Sequence, residues 1–85
     1  MTPYQVIWEP DAEFMLADLW MDSADRNSIT IAQAEADRLL ARDPFGYGEH
    51  VREGLYRLRV SSLILIFSID EAARIVEVCA LGWTD

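Results

Sequence analysis

The sequence predicts a single α+β domain spanning residues 1–85, in which an antiparallel sheet packs against a helical hairpin. Three observations lead to this fold class. Residues 10–43 contain two stretches with the apolar spacing of amphipathic helices, and residues 55–81 contain three strand-like runs separated by short turns. A chain of 85 residues also has enough interior for only one apolar core. The expected order of elements is β-α-α-β-β-β.

The N-terminal half is expected to form a short strand followed by two helices. Residues 4–8 alternate with β-branched and aromatic side chains on both faces, which is typical of a strand. Pro10 suits the first turn of a helix, and apolar residues at helical spacing continue to Trp20, which we expect in the core together with Trp8. A polar turn over residues 23–27 leads to a second helix that begins near Ser28 and ends before Pro44.

The C-terminal half is expected to form a meander of three strands after a polar, glycine-containing loop over residues 46–54. The strands cover residues 55–60, 63–69 and 74–81, and the middle one is apolar on both faces, as expected inside a sheet. Phe67 is assigned to the core. Trp83 follows the last strand, where it would close the edge of the core or enter a groove of a partner.

Composition and charge exclude several classes of protein. Fifteen acidic residues against seven arginines, with no lysine, give a formal charge of −8, which disfavours binding to duplex nucleic acid. No apolar run approaches the roughly 20 residues of a membrane span, and the N-terminus lacks a signal-peptide pattern, so we expect a cytoplasmic location and no membrane contact. With one cysteine, one histidine and scattered acids, we expect no disulfide, metal or cofactor.

Candidate functional residues lie in the polar loop and in the strand that follows it. Cleavage of RNA without a metal needs proton-transfer groups and cations that stabilise a charged phosphorus centre. Glu49 and His50 could transfer protons, with Arg57 and Arg59 as the phosphate clamp. Alternatively, His50 is a solvated loop residue, and the arginines pair with Glu77 or another surface acid. The candidate partner-binding residues are Tyr47, Arg52, Arg57, Arg59 and Trp83.

The two arginines should share one face of the sheet. Arg57 and Arg59 are two residues apart on a strand, so they project to the same side, whereas Leu58 and its neighbours Tyr56 and Val60 project to the other side. If the apolar set faces the helices, both guanidinium groups lie on the uncovered face. They would then be accessible to another macromolecule.

Four segments in this order resemble the RelE/ParE superfamily of small bacterial toxins from type II toxin–antitoxin systems, which includes plasmid stabilisation proteins. The segments are residues 4–10 (YQVIWEP), 34–40 (AEADRLL), 54–60 (GLYRLRV) and 75–82 (IVEVCALG). The resemblance implies a sheet packed on a helical hairpin, a toxin role, and a cognate antitoxin that wraps over the toxin surface. Because this chain is acidic, we expect the antitoxin tail to be enriched in arginine or lysine.

Departures from the superfamily pattern leave three functions open. One branch cleaves messenger RNA on the ribosome, and another inhibits DNA gyrase. Arg57 and Arg59 match the paired bases of the nuclease branch, but residues 63–67 contain no base, and a basic segment with a C-terminal tyrosine does not follow Gly82. The first expectation is a toxin that binds a protein partner with little nuclease activity. The alternatives are a ribosome-dependent endoribonuclease and a non-toxic member that retains antitoxin binding.

Overall fold

The computed structural model describes residues 3–84, which form three helices and five strands. In chain order, the elements are β1 (Gln5–Trp8), α1 (Pro10–Asp22), α2 (Arg26–Arg42), α3 (Pro44–Tyr47), β2 (Glu49–Arg52), β3 (Leu55–Val60), β4 (Leu63–Asp70) and β5 (Ile75–Trp83). The predicted α+β class, the helical pair and the C-terminal meander are all present.

The five strands form one sheet in the order β1-β5-β4-β3-β2. Strands β2 to β5 pair antiparallel with their sequence neighbours, whereas β1 pairs parallel with β5, with Val6 opposite Val76. The chain leaves β1 through α1 and α2 and returns at the opposite edge of the sheet. The sheet is therefore mostly antiparallel, with one parallel edge.

The helices α1 and α2 cover one face of this sheet and leave the other uncovered. Alternate residues of β3, β4 and β5 point into the interface with the helices, and they join helical residues in one buried cluster. The strand members of the cluster are Leu58, Leu63, Leu65, Phe67, Val76 and Val78, and the helical members are Ala12, Ala32, Ala36 and Leu40. Arg57 and Arg59 are exposed beside the buried Leu58, which confirms the predicted division of β3 into two faces.

Residues 46–54, expected to be a loop, contain the end of the short helix α3 and the whole edge strand β2. The single turn of α3 begins at Pro44, and the Asp43 carboxylate accepts a hydrogen bond from the Gly46 amide at 3.0 Å. All four residues of β2 are exposed, so this strand has no alternation of apolar and polar residues. The sequence of β2 therefore carries no period-two signal from which its pairing with β3 could be predicted. The expectation of an irregular loop was wrong.

The second helix begins at Arg26, two residues before the expected start. Asp25 occupies the cap position, where its side chain accepts hydrogen bonds from the amide and the hydroxyl of Ser28. These bonds also lower the pKa of Asp25 below its usual value.

The three tryptophans occupy different environments. Trp8 packs against the core, and its indole donates a hydrogen bond to Asp37 of α2 at 2.8 Å, as suits a partly buried tryptophan. Trp83 is the last residue of β5 rather than a residue beyond it, and it packs at the edge of the core opposite Leu63. Trp20 was expected in the core but is 41% exposed, because it lies at the margin of the buried face of α1.

We expect Gly48→Ala to destabilise the fold by about 1–3 kcal/mol, since it forces a methyl group into a packed site. A β-carbon at this position would lie 2.6 Å from the Phe67 ring and 2.6 Å from the carbonyl oxygen of Pro44. Gly82→Ala is the matched control, because no packing atom from residues 3–84 lies within 4 Å of its added carbon. Urea unfolding measures both variants, and equal stabilities would contradict this packing argument.

At the parallel edge, the carboxyl groups of Glu9 and Glu77 meet. A hydrogen bond to Glu77, together with desolvation and the negative charges of Glu77 and Asp11, raises the pKa of Glu9 above its usual 4.5. Such a group favours the folded state while it is protonated, so this stabilisation is lost as the pH rises through the folded-state pKa of Glu9.

We therefore expect the melting temperature of the wild-type protein to fall as the pH rises from 4.5 towards neutrality, and we expect Glu77→Gln to make this fall smaller. The substitution removes the repulsion between two ionised carboxylates and leaves a hydrogen-bond donor. Glu71→Gln, in the exposed turn before β5, removes one charge without touching the pair. Identical pH profiles for the two variants would show that overall charge, rather than the pair, causes the dependence.

Candidate functional site

A cleft on the uncovered side of the sheet brings together four of the candidate residues. It has a volume of about 410 Å³ and is lined by Tyr47, Glu49, Arg57 and Arg59. Two guanidinium groups against one carboxylate make the cleft formally cationic in a chain whose net charge is −8. The cleft is therefore a local site for an anionic group.

Three different elements supply these side chains. Arg57 and Arg59 come from β3, Glu49 comes from the neighbouring strand β2, and Tyr47 is the last residue of α3. Gly48 joins α3 to β2 where the chain passes against the Phe67 ring, which a larger residue would prevent. This tight connection places Tyr47 and Glu49 beside the arginines.

Arg57 and Glu49 form an ion pair across the β2–β3 ladder, in which the guanidinium Nη2 donates to the Glu49 carboxylate. The two residues are directly opposite each other in the register. Of the two expected partners, Glu77 or another surface acid, Arg57 therefore pairs with the second kind. Glu77 lies on β5, and β4 separates that strand from β3. Arg59 forms no ion pair with any residue of the described chain, 3–84, so no carboxylate engages its guanidinium group there.

His50 does not lie in this cleft. It follows Glu49 on β2, so the two side chains project to opposite faces of the sheet. The imidazole packs edge-on against Tyr56, with ring centroids 5.3 Å apart, and Tyr56 in turn contacts Phe45 and Phe67. The structure thus separates the two candidate proton-transfer groups and places His50 in an aromatic cluster that joins the β2–β3 hairpin to α3.

The two remaining candidates, Arg52 and Trp83, lie outside the cleft, as does the cysteine of the chain. Arg52 is exposed at the end of β2, opposite Leu55 next to the hairpin turn. Trp83 is half-buried at the end of β5, two strands away from β3. Cys79 is a half-buried free thiol, and burial raises its pKa. None of these three residues lines the cleft.

Within residues 3–84, no group of three or more histidine, cysteine or acidic side chains could hold a metal ion. No helix among these residues is long and apolar enough to cross a membrane.

Several solved structures are similar to this fold over nearly the whole chain. A chain of the RelBE2 toxin–antitoxin complex from Mycobacterium tuberculosis superimposes with a TM-score of 0.84 at 22% identity, covering 99% of this chain and 94% of the other. The chain has the RelE fold. The isolated Escherichia coli RelE toxin matches with a TM-score of 0.61 at 15% identity, over 96% of this chain and 85% of RelE.

The RelE fold is shared more widely among the solved structures. The YoeB dimer from Staphylococcus aureus matches with a TM-score of 0.58 at 15% identity, over 98% of this chain and 99% of YoeB. By sequence, no protein-family model matches the chain, and no curated protein is significantly similar to it. At these identities the likeness establishes the fold.

We expect Glu49→Gln to strengthen binding of a single-stranded RNA oligonucleotide by up to about fivefold, since exposed charge pairs are worth about 0.2–1 kcal/mol. The substitution removes the carboxylate of the cleft and frees Arg57. Arg59→Ala should weaken binding. Fluorescence anisotropy at low salt measures the affinities, with Glu53→Gln in the hairpin turn as a control for total charge. Equal gains in RNA affinity for Glu49→Gln and Glu53→Gln would contradict a role for the cleft.

Proposed function

We propose that this protein is the toxin component of a bacterial type II toxin–antitoxin system that acts in the cytoplasm by binding a protein partner. A cognate antitoxin neutralises it. The observation that carries this proposal is the RelE fold, matched over nearly the whole chain to a toxin–antitoxin complex. Other matching structures include the RelE–RelB complex of Pyrococcus horikoshii and the YoeB–YefM complex of S. aureus.

The chemistry of the open face supports binding rather than catalysis. The exposed arginines of β3 can hold carboxylates or other anionic groups, and arginine is well suited to such bidentate contacts. The His50 imidazole, which could transfer a proton, lies on the opposite face, and the Glu49 carboxylate is paired with Arg57. A macromolecular target, such as DNA gyrase or the ribosome, would therefore be held through charge and shape.

A specific observation also favours a second function, ribosome-dependent cleavage of messenger RNA. Tyr47 and Glu49 share the cleft with both arginines, so a hydroxyl, a carboxylate and two cations converge on one site. In such a reaction Glu49 would accept the proton of the RNA 2′-hydroxyl as its oxygen bonds to phosphorus, and Tyr47 would give a proton to the departing 5′-oxygen. The arginines would stabilise charge on the phosphorus centre. This requires the bound RNA to displace Arg57 from Glu49.

We expect expression of the protein without its antitoxin to arrest bacterial growth, and expression together with the protein of the adjacent reading frame to restore it. The double substitution Arg57→Ala/Arg59→Ala should abolish the arrest without unfolding the domain, because both side chains are exposed. Arg42→Ala, which removes an exposed arginine at the end of α2, is the matched control. Growth curves and circular dichroism measure these outcomes.

The state of the messenger RNA distinguishes the candidate functions. Growth arrest with intact messenger RNA, unchanged by Glu49→Gln, supports action by binding, and a supercoiling assay then tests gyrase as the target. Codon-specific cuts on ribosomes that Glu49→Gln or Tyr47→Phe abolishes would instead assign the endoribonuclease. Harmless expression of a folded protein that still binds the antitoxin would identify a non-toxic member.

A further inference from the structure

The first helix carries two apolar stripes, and the fold buries one of them. The inner stripe consists of the buried Ala12 and the half-buried Leu16 and Leu19; Ala12 and Leu19 pack in the core. A second stripe, formed by Phe14, Ala17 and Met21, points to solvent. Phe14 is 69% exposed and Met21 is 68% exposed, although their side chains are large and apolar. Such an exposed stripe is typical of a protein contact surface.

The spacing of the second stripe matches the packing of one helix against another. Phe14, Ala17 and Met21 stand at positions i, i+3 and i+7, which form a single narrow seam on an α-helix. The small Ala17 lies between the two large residues, so a second helix could approach closely at that point. Next to the seam, a groove of about 420 Å³ runs between α1 and α2 and is lined in part by Ala17, Trp20 and Met21.

One wall of this groove is already held in place. The Trp20 indole donates a hydrogen bond to the Thr30 hydroxyl at 3.3 Å, and the Arg26 guanidinium lies 4.6 Å from the Trp20 ring centre. Arg26 also donates to the carbonyl oxygens of Trp20 and Met21 at the end of α1. An exposed aromatic side chain held in one conformation loses little entropy on binding, which suits it as an anchor in an interface.

Negative charge borders the seam along its length. Asp11, Asp18 and Asp22 follow one another at i, i+7 and i+11, so they form an exposed row beside Phe14 and Met21. Residues 1–25 contain six acids and no base. A second copy of this chain would bring a like-charged row to the same surface, and anionic lipid would also be repelled. The charge selects a cationic occupant.

We propose that the outer surface of α1, formed by Phe14, Ala17, Met21 and the row Asp11, Asp18 and Asp22, is a docking site for a basic amphipathic helix of a partner protein. Apolar side chains of that helix pack on the seam and against Trp20, and flanking arginine or lysine side chains pair with the aspartates. The site is separate from the cleft on the uncovered sheet face, because helices and cleft lie on opposite sides of the sheet. The identification of this helix with the antitoxin rests on the proposed function.

A direct test uses synthetic peptides, so that it does not depend on toxicity. The probe is an amphipathic peptide of about 20 residues, long enough to form a helix, with leucine at heptad positions and lysine beside them. A matched peptide carries glutamate in place of lysine. Isothermal titration calorimetry should show binding of the basic peptide that weakens with added salt, and no binding of the acidic one. Equal binding of both peptides, or of neither, would overturn the proposal.

Matched variants locate the binding site. The double substitution Phe14→Ser/Met21→Ser should weaken binding of the basic peptide at least about tenfold, as expected for the loss of two apolar anchors. Ile31→Ser is the control, because Ile31 is a comparably large side chain, 60% exposed, that lines a different groove on α2. All these side chains are largely exposed, so the variants should keep the wild-type melting temperature. Comparable losses in the double variant and the control would overturn the proposal.

The role of the aspartate row has its own control. Asp18→Asn/Asp22→Asn should reduce the salt dependence of peptide binding, whereas Glu53→Gln/Glu71→Gln, which removes two exposed charges elsewhere, should leave it unchanged. The same effect from both pairs would show that net charge rather than the row attracts the peptide, and would overturn this surface assignment.

Competition between the basic peptide and the protein of the adjacent reading frame tests whether the docking site belongs to the antitoxin. If the protein of the adjacent reading frame binds and is displaced by the basic peptide, the docking site belongs to the antitoxin. If it binds but is neither displaced nor weakened by Phe14→Ser/Met21→Ser, the docking proposal fails while the toxin–antitoxin assignment stands. Self-association that the double variant abolishes would assign the surface to a second copy and also overturn the proposal.

Discussion

One-sided burial of the sheet determines the rest of this structure. The helices α1 and α2 pack on a single face, so every second residue of β3 and β4 must be apolar to exclude water from that interface. The intervening residues then point away from the core by geometry alone. Leu58 is buried between Arg57 and Arg59 for this reason, and the two arginines share the uncovered face. A shift of one residue in this strand would exchange the two sets.

The cleft depends on a second constraint, the tight connection between α3 and β2. Asp43 and Pro44 start a single helical turn, and Gly48 then lets the backbone pass against Phe67. Strand β2 can therefore pair with β3 at the edge of the sheet, with Glu49 opposite Arg57. The same strand directs His50 to the aromatic cluster on the other side. Alternation along one short strand thus separates the cleft from the only imidazole of the chain.

The two faces of the molecule offer different kinds of contact. The uncovered sheet face is locally cationic at the cleft, whereas the outer surface of α1 is apolar with an acidic border. The two surfaces are thus complementary to groups of opposite charge, an anionic group at the cleft and a cationic group on α1. This division also explains why the net charge of −8 says little about the cleft, because the charge is concentrated elsewhere on the surface.

The sequence by itself determined the elements that local rules control. Pro10 marked the start of α1, the helical spacing marked both long helices, and the alternation of β3 predicted the shared face of Arg57 and Arg59. These features depend on residues close together in the chain, so a period or a turn signal is enough to find them.

Only the tertiary structure decided the features that depend on distant partners. The parallel pairing of β1 with β5, the edge strand β2 and the exposure of Trp20 follow from which surfaces meet, and no local period records that. The meeting of Tyr47 and Glu49 with the arginines likewise required the pairing of β2 with β3. The exposure of the second stripe of α1 could not be predicted from the sequence for a related reason. Helical spacing marks apolar positions, but packing decides which of them are covered.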